Sequence, residues 1–171
     1  MMLVLDSGVI IRTMSQGRRA YCNTPNVILK MTKLPFLLEV DEDWPPIALE
    51  VLPCERTAQG YRVLSAPLFI KCLSVGDVID VTLDDVGHVT AWRHVSQSNH
   101  TNIWLLRIAK TDEIACVLDR LRSLGCDTVR LEAYGCYAID VPGHRAIGDI
   151  GACLSTLNRN NVAIAYPSFR H

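Results

Sequence analysis

The residues best equipped for chemistry gather around His100, in the run Ser98-Asn99-His100-Thr101-Asn102. An imidazole exchanges its proton near neutral pH, and a carboxylate on one ring nitrogen fixes which nitrogen faces a substrate. Asp77 and Asp140 are the carboxylates expected beside it. Both also have plain structural roles, Asp77 following Gly76 in a turn and Asp140 closing a strand. His88 and His94 share one strand, but six residues at about 3.3 Å each separate them by roughly 20 Å. Zinc–nitrogen bonds are only about 2 Å long, so one metal ion cannot join that pair, and no metal site is expected. His144 and Arg145 are placed at the start of a second helix, where backbone N–H groups attract anions. Gly148-Asp149-Ile150-Gly151 does not complete a phosphate loop, and no GxSxG, Walker-type or HExxH pattern occurs. His100 is therefore the one catalytic candidate. Trp92, His94, Asn99, His100, Asn102, His144 and Arg145 are the candidate binding residues.

The seven cysteines (22, 54, 72, 116, 126, 136 and 153) form no CxxC pair, so zinc-ribbon and redox spacings are missing. Their odd number and scattered, apolar-flanked positions fit reduced thiols in a cytoplasmic protein. Cys116 and Cys153 fall inside helical patterns and are expected as small buried side chains. The 171 residues are 49 % hydrophobic and 20 % charged, the profile of a folded protein able to bury a core. The net charge of −1, from 17 basic and 18 acidic residues, lacks the basic face that nucleic acid requires. The opening MMLVLDSGVIIRTM has no basic leader and is too short to span a bilayer. Neither nucleic acid nor membrane is an expected partner, and no cofactor is implied.

Positioning these side chains falls to two kinds of element. Residues 1–30 are turn-like and polar after the first apolar stretch, and read as a loosely attached extension, with Met31 as a candidate natural start. Residues 31–98 read as short strands. One covers 36–40, ended by Asp41-Glu42-Asp43-Trp44-Pro45-Pro46, since prolines cannot continue a ladder. Strands at 47–53 and 61–64 flank a turn at Ala58-Gln59-Gly60. A further apolar run covers 68–72, and strands at 78–83 and 88–95 form a hairpin. Strand alternation puts Val89, Ala91 and Val95 on one face, and His88, Thr90, Trp92 and His94 on the other. The expectation is a small bent β-sheet or half-barrel.

Residues 99–171 change period. A strand at 102–109 is followed by Thr111 as N-cap and a helix with Ile114, Val117, Leu118, Leu121 and Leu124 on one face. Gly125 ends it. Strands at 128–133 and 136–141 flank Tyr134-Gly135. A second helix follows Pro142-Gly143, striped by Ile147, Ile150, Leu154 and Leu157, and a strand at 162–166 closes the order β-α-β-β-α-β. The fold class is thus α+β, with the β-rich subdomain leading into a ferredoxin-like sandwich, two helices on one face of an antiparallel sheet. Trp104, in the first of those strands, is expected in the core.

Five segments in order resemble a bacterial family known only as a domain of unknown function. They are the FLLEVDEDWPP opening, Gly76-Asp77 before a hydrophobic strand, Ser98 to Asn102, Leu121 with Leu124-Gly125-Cys126, and Ala138-Ile139-Asp140-Val141-Pro142. Asn99 stands where the family has glycine. The resemblance spans residues 34–166, implies a bacterial, soluble protein and carries no activity with it.

The expected function is a non-catalytic protein-interaction module, an immunity or antitoxin-type protein that binds and masks a partner protein. Near-zero net charge, missing catalytic motifs and Trp44 and Trp92 among polar groups motivate it. The alternatives are a small-molecule-binding regulatory domain and an enzyme using His100.

Overall fold

The computed structural model describes residues 31–171; the extension expected over residues 1–30, and Cys22 within it, lie outside them. Strand β1 (Met31–Leu37) pairs antiparallel with β2 (Leu49–Arg56), which turns into β3 (Tyr61–Val63) and then β4 (Val78–Leu83) and β5 (Val89–Ser96). The sheet is a closed five-stranded barrel, not the expected half-barrel, because β5 returns parallel to β1 and pairs Val89 with Phe36. Both residues are buried, so closure hides their apolar surface, at roughly 25 cal/mol per Å². The apolar run at 68–72 forms no strand. It folds into the barrel as an irregular plug whose Ile70, with Leu73 just beyond, packs against Leu34, Leu52 and Ile79.

The two faces expected on β5 are re-phased. Leu83 pairs with Val89 while Thr82 pairs with Ala91, so Thr90 is an extra residue; Val95 is a second between the pairs Ile79–His94 and Val78–Ser96. A bulge inverts the alternation beyond it. Val89, Trp92 and His94 therefore turn toward the protein, and Ala91 and Val95 toward solvent.

The second half places β6 (Thr101–Arg107), helix α1 (Glu113–Ser123), β7 (Asp127–Leu131), β8 (Cys136–Val141), helix α2 (Ile147–Leu154) and β9 (Val162–Ser168) in chain order. The sheet order is β7-β8-β6-β9, every neighbouring pair antiparallel. Ile114, Val117, Leu118 and Leu121 of α1 and Ile150 and Leu154 of α2 share one core with Ile103, Leu105 and Ile139 of the sheet. The N-cap position of α1 is Asp112, while Thr111 accepts the Glu113 N–H through its hydroxyl at 3.2 Å. Helix α2 starts at Ile147, later than expected, because the chain after β8 first closes a turn from the Arg145 N–H to the Pro142 carbonyl. Cys153 is buried as expected, but Cys116 faces solvent. The fold is mixed α and β, mostly strands with two helices. Among the described residues no helix is long and apolar enough to cross a membrane.

The tightest backbone approach is at Gly60, whose φ is +150° and where a Cβ would lie 2.2 Å from the Ile79 carbonyl oxygen. Gly60→Ala is expected to cost about 3 kcal/mol, since strand β4 would have to move away. Urea unfolding measures this; a loss within experimental scatter would mean the β3–β4 approach is not fixed.

Candidate functional site

Of the two carboxylates expected beside His100, Asp140 meets it and Asp77 does not. The ring Nδ1 lies 2.8 and 2.9 Å from the two carboxylate oxygens and donates its hydrogen to them. Asp140 sits on β8 directly across from Asn102 on β6, which orders the pair from the sheet register alone. Burial pushes the Asp140 carboxyl above its ordinary range, offset in part by the His100 hydrogen bond and charge. With Nδ1 donating to Asp140, Nε2 is the ring's acceptor atom and has no hydrogen-bond partner among the described residues. No side-chain nucleophile is hydrogen-bonded to the ring among the described residues, so a substrate would have to bring the second reacting group.

Asp77 does a different task. Its side chain is fully buried and gathers Arg170, which grips both carboxylate oxygens, the backbone N–H of Ser98 at 2.7 Å and of Ser74 at 2.9 Å, and the His94 Nε2 at 3.1 Å. Burial alone would raise this carboxyl, but Arg170 and the two N–H donors outweigh it and hold it below the usual carboxylate range. His94 is therefore anchored, not free for ligand, and Trp92 stacks edge-on against it with centroids 5.0 Å apart.

The remaining sequence candidates divide between two places. Asn99 lies across Gly143, where a Cβ would fall 2.4 Å from its side chain, so glycine is needed at 143. Asn99 itself keeps a negative φ, and no glycine-like backbone is required at that position. His144 and Arg145 are exposed in the turn before α2, with the Arg145 guanidinium folded over Gly125. Asn102 is buried; its Nδ2 donates to the Pro67 carbonyl at 2.9 Å and its Oδ1 is left without a partner. Among the described residues no group of three His, Cys, Asp or Glu side chains is disposed to hold a metal ion. Burial pushes the thiols of Cys54 and Cys126 up to about 12 and about 11, which leaves them poor nucleophiles.

A concavity lies elsewhere, against the barrel and reaching the second sheet at Trp104. It is a cleft of about 780 Å³ bordered by the end of β1 and the loop beyond it, the plug, the first half of β5, and Trp104. The chain has three tryptophans, and Trp44, Trp92 and Trp104 all line it. Trp104 points away from the helices, so it is a wall of this cleft and not part of the core; its indole N–H donates to the Pro67 carbonyl at 2.7 Å. Trp44 is 47 % exposed and packs edge-on against Phe69 of the plug. A two-residue turn holds it there: Asp41 and Trp44 exchange two backbone hydrogen bonds while Glu42 and Asp43 take left-handed conformations.

Sequence reasoning missed the group that fixes the plug. Glu50 on β2 turns inward, and its carboxylate accepts the N–H of Leu68 at 2.6 Å and of Phe69 at 3.0 Å. Strand alternation with Leu52 and Cys54 was the available signal. Burial outweighs those donors and raises the Glu50 carboxyl to about 7. Arg170 had no sequence signal, since it meets Asp77 from 93 positions away.

Two consequences follow for stability. Asp77→Asn is expected to cost about 3–5 kcal/mol, because the Arg170 charge would stay buried without its partner; equal urea midpoints for variant and wild type would refute the hub. For Glu50 the folded carboxyl titrates above the unfolded one. Folding therefore favours the protonated form, and stability falls as pH rises from about 4.5 to about 7, by an amount on the order of 3 kcal/mol. Glu50→Gln should flatten that part of the pH–stability curve, whereas an unchanged slope would assign it to other groups.

Comparison with known proteins places this architecture in a family. A family model described as a domain of unknown function, DUF4265, matches residues 49–164, from β2 to β9. A solved structure of a hypothetical protein from Neisseria gonorrhoeae is similar with a TM-score of 0.65 at 14 % identity, covering 83 % of this chain and 97 % of that one; at this identity the likeness is of fold. A search of curated proteins finds no match. With its model matching well over half of the residues, the chain belongs to the DUF4265 family.

Proposed function

We propose that this protein is a non-catalytic module that binds a partner protein, as immunity and antitoxin-type proteins do, and that its working surface is the cleft against the barrel. The observation that carries this reading is the convergence of all three tryptophans on that one concavity. Tryptophan is the residue type most enriched where binding energy concentrates, because it hides a large apolar area at the cost of few rotatable bonds. Trp44 keeps half of its surface in water although two backbone hydrogen bonds fix its loop, which leaves apolar area free for a partner to cover. The C-terminal half is read as ferredoxin-like, supported by the strand order β7-β8-β6-β9 with both helices packed on one face. A bacterial origin is supported by the Neisseria gonorrhoeae neighbour, and a cytoplasmic one by six free cysteines among the described residues.

The second reading, small-molecule binding, rests on the cleft volume, which falls within the roughly 300–1,000 Å³ range of ligand sites. The third uses the unpartnered Nε2 of His100 as a general base. One experiment separates the three. Tagged full-length protein returned to its host is expected to retain a stoichiometric partner, to lose it in Trp44→Ala, and to keep it in His100→Ala. Retention indifferent to Trp44, or no partner at all, would sink the proposal, and a thermal shift with host metabolites in place of a partner would favour the second reading.

A further inference from the structure

We infer that the occupant of the cleft is an extended polypeptide segment carrying a basic side chain, added as a strand along the open edge of β5. This rests on the binding-module reading and names its partner's chemistry. Strand β5 is hydrogen-bonded along its length to β4, but on its other side it pairs only once, Val89 with Phe36. The reason is stagger. Strand β1 ends at Leu37, just where β5 begins, and the chain then swings outward through the Trp44 turn. Among the described residues no other strand pairs with β5, so residues 90–96 keep one row of backbone N–H and C=O groups unpaired. Such an edge is a template for another strand, because main-chain hydrogen bonds supply affinity with no demand on the partner's sequence.

The cleft runs beside that edge. Val89, Thr90, Ala91 and Trp92 form one bank, and the β1 end with Trp44 forms the other. A small molecule would have no use for an unpaired strand edge, whereas a peptide strand would pair with it and place every second side chain between the indoles. Charge selects the side chain. The bank opposite β5 carries Glu39 and Asp41, with Glu42 and Asp43 following in the adjoining turn; all four are exposed and none is in an ion pair among the described residues. Among the described residues Lys71 is the single cationic residue lining the cleft. Indole faces attract cations, so a lysine or arginine side chain meets both the carboxylates and the rings.

A phage-displayed library of random linear peptides, selected on the full-length protein, tests this. Enriched peptides should carry lysine or arginine at a fixed place, and binding, followed by tryptophan fluorescence, should weaken at least roughly tenfold in the doubly charge-reversed Glu39→Lys/Asp41→Lys protein, whose substitutions are both on the surface. Amide exchange within residues 90–96 should slow on binding, and N-methylation of alternate peptide backbone nitrogens should abolish it. Peptides that lack basic residues, or that bind with no slowing at 90–96 yet are lost in Trp44→Ala, would overturn the strand-addition inference and leave the cleft as the binding surface. Enrichment indifferent to Trp44→Ala and to charge reversal would overturn both. Slowing at 90–96 that grows with protein concentration in the absence of peptide would assign the edge to a second copy of the chain and likewise overturn the inference.

Discussion

The ion pair between Asp77 and Arg170 ties this molecule together. A carboxylate with no exposed surface is tolerable only when every lone pair is taken, and here Arg170, Ser74, Ser98 and His94 take them. The donors come from four separate segments: the turn before β4, strand β5, the link from β5 to β6, and the tail beyond β9. Arg170 also donates to the carbonyls of Ser98 and Cys72, so one guanidinium fixes the seam between barrel and sheet. Around it the Ser74 hydroxyl donates to Ser168, and the Cys72 N–H to the Pro167 carbonyl. The barrel and the second sheet are thus locked by polar groups whose alternative would be burial without partners.

The cleft is a by-product of the same seam. The Pro67 carbonyl takes hydrogen bonds from Asn102 and Trp104 of the sheet, and Glu50 of the barrel holds the next N–H groups of the plug. Each side of the cleft is therefore pinned by a different buried acceptor. Trp104 stands on the sheet face opposite the helices because its neighbours Ile103 and Leu105 occupy the helix side. A wall in which the Trp104 ring is held by a hydrogen bond and the Trp44 loop by two backbone hydrogen bonds is stiff. Stiff aromatic surface loses little entropy on binding, which suits it to recognition.

The His100–Asp140 pair is the part of the candidate site that was most legible. The sequence named Asp140 as one of two carboxylates to expect near His100, and the observed register brings them together: Asn102 lies opposite Asp140, and His100 precedes it by two. The cleft was less so. Trp92 was named, but its strand carries two extra residues, and a bulge is invisible to a count of alternating polar and apolar positions. Trp44 and Trp104 are 60 positions apart in the chain, and nothing local says that they face one another across a plug.

By itself the sequence determined the two helices, most of the strands and the helix-side core: alternation and the 3.6-residue stripe state which face of a regular segment must be buried, and burial of apolar area dominates folding energetics. Gly125 and Gly135, with φ of +83° and +64°, end a helix and a hairpin turn where the chain needed left-handed backbone, and that too is local. The tertiary structure alone decided that the barrel closes, that Glu50 and Asp77 are buried, and that an aromatic cleft opens beside the edge of β5. Those outcomes depend on pairings such as Phe36 with Val89 and Asp77 with Arg170, between residues far apart in the chain, whose energies no local pattern encodes.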